Sequence, residues 1–325
     1  MEVKTVLVTG ANSYIGNATA RAFVRAGWVT YGLVRSSQSS AALSAEEIVP
    51  VIGSIDEIAS HEAIKATLAP TLDAIVSTTE NTTDYVPHFQ NTVRLLRTLS
   101  ASSTANGIRP LVIFTAGSKD YGVGPHYADE HDLTPHNEDA PLHPPSFAVR
   151  RVQNAPNIFE HADAFAGVLV RPTNRVLIAP ARPNWVCHAL HIGDCGEAYV
   201  AIASAPRESV EGEVFNISSE RYETAEKVLG AIVEEYGISG GVKYVDLKAV
   251  GPGEDPSLAM VVGFPQWTCS QKLRRVTGWT DRRLPFSDAI HVYRLAYEAA
   301  AAMGDENVEK IGTTIDLLMP TVERV

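Results

Sequence analysis

The stretch Lys4-Thr-Val-Leu-Val-Thr-Gly-Ala-Asn-Ser-Tyr-Ile-Gly16 constrains this chain more than any other. Val6, Leu7 and Val8 are a short apolar run with almost no polar face, which predicts a strand buried on both sides. Gly10 follows at once and permits a tight turn. From Ile15 the spacing becomes helical: Ala18, Ala20, Ala22, Phe23 and Ala26 suit an amphipathic helix ending at Gly27. A strand, a glycine turn and a helix N-terminus form an anion site, because free backbone N–H groups and the positive helix end face one point. Gly10, Asn12, Ser13, Tyr14, Ile15 and Gly16 are therefore candidate phosphate-cradle residues. The net charge is −11, which disfavours nucleic acid or an anionic membrane as a partner, so any anionic cofactor needs a local basic site.

Such a site stands at the end of the second apolar run, Val29–Arg35, where Arg35 falls 19 residues after Gly16. In dinucleotide folds an acid here accepts from the ribose 2′-OH of NAD, whereas a cation pairs with the 2′-phosphate of NADP. Arg35 with Ser36 and Ser37 supplies a charge and hydroxyls, and no acid lies between Gly27 and Glu46. NADP is the expected cofactor.

Further strands are expected at Ile48–Ile52, Asp73–Thr79, Pro110–Thr115 and Phe165–Pro172. Ser77, Thr78 and Thr79 form a polar strand end that should face the cofactor. Strands alternating with helices at this spacing predict an α/β, Rossmann-type doubly wound parallel sheet. Three widely spaced cysteines, Cys187, Cys195 and Cys269, are expected to be reduced thiols. The chain enters its first strand directly, and no apolar run reaches about 18 residues. A cytoplasmic protein without signal peptide or membrane span is expected. Residues 123–146 are expected to form a long surface loop whose histidines, His126, His131, His136 and His143, share no common face, so no metal is expected.

Thr9-Gly10-x-x-Ser13-x-Ile15-Gly16 resembles the TGxxGxxG motif of the extended short-chain dehydrogenases/reductases, in their epimerase/dehydratase branch, with Ser13 at the middle glycine. Gly53-Ser-Ile-Asp56 resembles the turn that this family places beside the adenine, which implies a cofactor role for Asp56; a helix N-cap is the alternative. Asn91–Leu96 resembles the family's GTxxLL helix, with His88 where an asparagine is usual. Phe165–Pro172 resembles the strand whose proline, here Pro172, borders the nicotinamide. His191–Tyr199 resembles HVDDLAxA, which implies that Asp194 caps a helix over Glu197–Ala205. Gly212–Ser218 and Cys269–Trp279 match later markers, and a Thr224-capped helix over Ala225–Tyr236 is expected between them.

The resemblance also implies a catalytic set, and here the chain departs from it. The usual Ser falls on Gly117, with Thr115 and Ser118 nearby as candidate hydroxyls. The YxxxK pair falls on Phe147 and Arg151. Phe has no proton to give, and Arg can hold ribose hydroxyls but not exchange a proton usefully. Tyr121 is expected to be a packing residue. A true YxxxK at Tyr244–Lys248 is expected to be a coincidence within a strand. Trp185, Phe147, Trp267 and Phe264 point to an apolar or aromatic substrate.

The implied activity is an NADP-dependent oxidoreductase acting on the carbonyl or alcohol of a small molecule. The alternatives are a non-redox lyase, isomerase or cyclase on the same scaffold, or a nucleotide-sensing non-enzyme. The expected division is a dinucleotide-binding core over 1–171 with 191–215, and a substrate lobe from 172–190 and 216–325. A homodimer through the helices near Asn91 and Phe147 is implied.

Overall fold

The computed structural model describes residues 3–122, 126–173, 182–242, 244 and 265–309. Its centre is a seven-stranded, wholly parallel sheet. In chain order the strands are β1 (Thr5–Thr9), β2 (Val29–Val34), β3 (Val49–Ile52), β4 (Ala74–Ser77), β5 (Leu111–Thr115), β6 (Ala166–Pro172) and, after a short hairpin strand β7 (Val186–Cys187), β8 (Val214–Ile217). The spatial order is β3-β2-β1-β4-β5-β6-β8. The chain runs outward from β1 in one direction, then returns to β4 on its other side. The crevice at the carboxyl ends of β1 and β4 is therefore the switch point where ligands bind in doubly wound sheets. Thr9 lies level with both Leu33 and Ser77, so the ends of β1, β2 and β4 share one edge.

Both faces of the sheet are covered, as the unbroken apolar strands require. Val6, Val8, Ile113 and Val168 pack with Phe23 of α1 (Tyr14–Arg25) and Tyr199 of α6 (Ile192–Ser204). Leu7, Ile75, Val112 and Phe114 pack on the other face against Ile64 of α3 (His61–Thr67) and Phe89, Leu96 and Leu99 of α4 (Tyr85–Ala105). Helix α5 (Val149–Asn154) lies against α4.

β7 pairs antiparallel with β9 (Glu223–Thr224), and Thr224 caps α8 (Ala225–Tyr236) by accepting from the Lys227 N–H at 3.2 Å. That helix ends at Gly237 in the left-handed region. Short helices α2 (Ser40–Ala45) and α7 (Arg207–Val210) precede α8, and two further helices span Gln271–Thr277 and Ile290–Ala302. Among the described residues, no helix is long and apolar enough to cross a membrane.

Several local expectations need correction. The helix near Asn91 begins earlier, at Tyr85, and so contains His88. The helix near Asp194 also begins earlier, at Ile192, and is capped by His191, whose Nδ1 accepts from the Gly193 N–H at 3.0 Å. Asp194 lies inside the first turn, buried, where its carboxylate accepts from the Arg283 N–H at 3.0 Å and from Arg283 Nη1. Residues 126–146 are largely the irregular surface segment expected, and their backbone is also paired with other parts of the chain. His126 O accepts from Val186 N–H, and the His136 N–H donates to Trp267 O at 2.9 Å. This segment is stitched by its backbone to the C-terminal part of the chain. Asn174–Ala181, Phe264, Lys248 and most of the expected strand around Tyr244 lie outside the described residues.

Candidate active site

The first half of the site is the turn between β1 and α1. Gly10 has φ +64°, a left-handed conformation that a side chain rarely adopts. A Cβ there would stand 3.0 Å from the Thr79 methyl and 3.3 Å from Thr78 Oγ1. A Cβ on Gly16 would stand 2.2 Å from the Gly10 carbonyl oxygen, so only glycine lets the helix begin this close to the strand. Ser13, at the place of the motif's middle glycine, is the N-cap of α1. Its N–H donates to Gly10 O at 2.8 Å and its Oγ accepts from the Gly16 N–H at 3.2 Å. The serine hydroxyl is thus committed to the helix end. The N–H groups of Tyr14 and Ile15, in the first turn, have no intrahelical acceptor and are open to an anion.

Thr78 fixes the crevice: its Oγ1 donates to Thr9 O at 2.5 Å, and its N–H donates to Thr9 Oγ1 at 3.2 Å. Ser77 is buried behind it with its hydroxyl unpartnered among the described residues. Arg35 and Ser36 are exposed just past β2, and Arg35 has no ion pair among the described residues. Asp56 caps no helix; the carboxylate pairs with His88 Nδ1 at 2.9 Å, and His88 Nε2 meets Thr79 Oγ1 at 3.2 Å. The departure at His88 thus links Asp56 to the end of β4. This half fits a dinucleotide: glycine where bulk would collide, free N–H groups at a helix start, and a free guanidinium at the ribose end.

The second half lies beyond β5. Gly117 occupies the expected serine position, and a Cβ there would stand 3.0 Å from Arg151 Nη2 and 3.2 Å from its Cζ. The two departures from the family pattern therefore fit each other: the missing side chain makes room for the larger guanidinium. Arg151 is 6% exposed. Its Nε and Nη2 reach Asp120 Oδ1 at 2.8 and 2.7 Å, and its Nη1 reaches Glu80 Oε1 at 2.8 Å. Arg171 of β6 approaches the other Asp120 oxygen at 3.4 Å. Two buried guanidinium groups, the buried Asp120 carboxylate and the exposed Glu80 carboxylate make a neutral cluster. Burial opposes the charge on Arg151, but Asp120 and Glu80 outweigh it and raise its pKa further. A fork engaged on both sides by carboxylates does not reach out to ribose hydroxyls, so the ribose-holding role expected of Arg151 is not the one its contacts describe.

The other expected catalytic positions are dispersed. Phe147 is half-buried in a single turn before α5. Thr115 shares the sheet face of Leu111 and Ile113, away from α5, and bonds to the buried Tyr199 hydroxyl at 2.8 Å. Ser118 is buried beside Gly117, and its carbonyl accepts from Gln266 Nε2 at 2.8 Å. Pro172 ends β6 at the same sheet edge. Tyr121 is a packing residue: fully buried, its hydroxyl donates to Asn216 Oδ1 at 2.8 Å. His136 stacks on Tyr121 and meets His126 edge-on at 4.7 Å between ring centres. No group among the described residues has the makings of a metal site.

Lys119 was not singled out by the sequence. It is half-buried in the turn after β5, and burial first, then the charge of Arg151, pull its amine down to about 8. This lowered amine lies in the turn next to Gly117, close enough to Arg151 to feel its charge. The signal was available as the only lysine in Thr115–Gly122, a segment singled out for its hydroxyls.

The model of the NAD dependent epimerase/dehydratase family matches residues 6–176, just over half of the 325. The chain belongs to that family. The family is described as NAD dependent, so a nicotinamide nucleotide is the cofactor class that membership brings with it. A segment of 65 residues is 43% identical to serine 3-dehydrogenase of Rhizobium radiobacter, covering 20% of this chain and only 26% of that relative. Among solved structures, the UDP-Glc/GlcNAc 4-epimerase of Campylobacter jejuni superposes with a TM-score of 0.64 at 15% identity, over 89% of this chain and 97% of that one. The Bordetella bronchiseptica enzyme WbmH, in complex with NAD+, gives 0.61 at 15% identity, over 89% and 96%. At such identities these structures establish the shared fold.

Proposed function

We propose that the chain is an NADP(H)-dependent reductase or dehydrogenase acting on the carbonyl or alcohol of a small apolar or aromatic molecule. Arg35 carries the proposal: a free cation at the end of β2, with no acid on that strand or in the loop after it before Glu46. A charge-assisted pair with a 2′-phosphate contributes about 1.5–3 kcal/mol. The Tyr14 and Ile15 N–H groups hold the pyrophosphate at the start of α1. The bound coenzyme supplies or accepts the hydride. Ser118 orients the substrate oxygen by a hydrogen bond, and Lys119 Nζ holds the proton that this oxygen gains on reduction and returns on oxidation. The Arg151–Asp120–Arg171 cluster fixes the segment that carries both residues. The substrate lies under a lobe built from residues 182–190, 216–242 and 265–309, where the half-buried Phe147 and Trp267 offer apolar surface. Helices α4 and α5 form a dimer interface, and the enzyme works in the cytoplasm.

A second reading has its own support. Gly117, Phe147 and Arg151 together remove the usual proton relay, which favours a non-redox lyase, isomerase or cyclase that keeps the nucleotide, or a nucleotide sensor. Titration of NADPH and NADH by calorimetry, with wild type and Arg35→Ala, tests the first reading. NADPH binds more tightly, and that margin disappears in the variant. Equal affinity in the wild type, or an unchanged NADPH affinity in Arg35→Ala, overturns NADP preference. Turnover of substrate without a change in NADPH absorbance establishes the non-redox reading.

A further inference from the structure

The ribose end of the crevice holds a group that the neighbouring strand does not supply. Asn12, in the phosphate turn, donates from Nδ2 to Ser39 Oγ at 3.1 Å and toward Glu306 Oε2 at 3.5 Å. Ser39 Oγ donates to Glu306 Oε1 at 3.3 Å. Ser39 is buried just past β2, and Glu306 is half-buried on the segment after the helix Ile290–Ala302. The fold thus brings an acid 267 positions along the chain from Ser39 to the junction of the β1 turn and the β2 loop.

The one charged residue of that loop is a cation, Arg35. In dinucleotide folds a carboxylate here accepts from the ribose hydroxyls, and a cation here pairs with a 2′-phosphate. We infer that Glu306 is a specificity-determining residue of the coenzyme site, the acidic member of its ribose subsite, set against Arg35. The inference rests on the dinucleotide-binding reading above. Ribose hydroxyls donate to a carboxylate held by Asn12 and Ser39. A 2′-phosphate is itself an anion that needs those same two donors, so it must displace the carboxylate or suffer its repulsion. Arg35 attracts the phosphate and Glu306 opposes it; their balance sets how strongly the site prefers one coenzyme.

Full-length Glu306→Gln tests this, because the amide keeps the side-chain volume and removes the charge. NADPH and NADH are titrated by calorimetry at low salt, with no substrate present. NADPH affinity should rise about two- to fivefold, as expected for removing one partly exposed like charge. NADH affinity should fall or stay within about twofold, and the NADPH gain should shrink at high salt as the charges are screened. Glu306→Ala should move the ratio in the same direction, and Arg35→Ala should move it in the opposite one. If both coenzymes bind and neither Glu306 variant changes their ratio, the inference is overturned while the dinucleotide reading stands. If the wild type binds neither coenzyme, both are overturned.

Discussion

The two halves of the crevice have been treated differently. At the β1–α1 turn the glycines that a dinucleotide needs are present: Gly16 could not carry even a Cβ, and the first-turn N–H groups remain open. Beyond β5 the space has been filled. Gly117 gives its volume to Arg151, whose donors go to Asp120 and Glu80 rather than to a ligand. Backbone geometry keeps an open anion cradle in one half; in the other, side-chain charge has become structure. Recognition of a nucleotide depends on N–H groups and close approach, which tolerate Ser13 because its hydroxyl caps the helix. Proton transfer depends on particular titratable atoms, and Phe147 cannot replace one.

The largest effect is expected where charge has become structure. Arg151→Ala leaves the Asp120 carboxylate 1% exposed, with only the longer 3.4 Å contact to Arg171. Breaking a buried pair from one side typically costs about 3–5 kcal/mol. Because Arg171 remains and Glu80 can turn to water, a loss near 3 kcal/mol is expected, read as a fall in the urea midpoint. NADPH affinity measured on the folded fraction should be retained. A stable variant that loses NADPH would mean that Arg151 serves the ligand after all.

Lys119 tests whether the filled half still moves a proton. Its folded pKa, near 8, lies below the ordinary 10.5, so the native state disfavours the ammonium. The resulting penalty is fully present below pH 8 and relieved between about 8 and 10.5. In turnover the sign follows from the proton's direction. Reduction needs the ammonium, so its rate should fall as pH rises through about 8; oxidation needs the free amine and should rise over the same range. Lys119→Met should lower turnover about 10²-fold, remove this limb from the pH profile and leave NADPH affinity unchanged. A profile that keeps its limb would move the proton to another group.

How much of this was legible in the sequence divides along the same line. The strands, their parallel order, the Gly10 turn, Arg35 and the Thr224 cap are local or periodic features, and the chain's pattern announces them. The Arg151 cluster joins residues 31 and 71 positions apart, so no window contains it. Its one local sign is Arg171, a cation at the end of an otherwise apolar strand, which demands a buried partner. The same limit explains Asp56. A helix cap is a local expectation, whereas its actual partner, His88, lies on α4. Glu306 is further still. The histidine loop is exposed as its polar composition suggests, but no window of sequence shows that its backbone pairs with 184–186 and 267–269.

The fit between Gly117 and Arg151 makes a coupling prediction of intermediate size. Gly117→Ser places a Cβ at 3.0 Å from a buried guanidinium nitrogen that is held on both sides, so it should destabilise by about 1–3 kcal/mol. Combined with Arg151→Lys, whose slimmer ammonium vacates the space, the two costs should not add, and a double-mutant cycle should give a favourable coupling above about 0.5 kcal/mol. Restoring the family's chemistry then takes three changes together, Gly117→Ser, Phe147→Tyr and Arg151→Lys. Phe147→Tyr alone should leave reductase turnover where it is.

The smallest effect concerns His136, which lies between the filled half and the C-terminal lobe. Its ring stacks on Tyr121, 5.2 Å between centres and tilted by 13°, while its buried Nε2 has no partner among the described residues. Burial first, then the charges of His126 and His143, hold its pKa near 4, well below 6.5. The native state therefore keeps the imidazole neutral. As pH falls from 6.5 toward 4 the unfolded chain takes up a proton that the native chain refuses, so stability is lost across that window. Phe at this position keeps the stacked ring and removes both the orphaned nitrogen and the titration. His136→Phe should gain about 1 kcal/mol at pH 7 and should flatten the loss of stability between pH 6.5 and 4, both read from urea melts across that range. If His136→Phe instead destabilises at pH 7 and weakens substrate turnover, the nitrogen serves a ligand, and the charge-filled half of the crevice extends further into the substrate site than Arg151 and its partners.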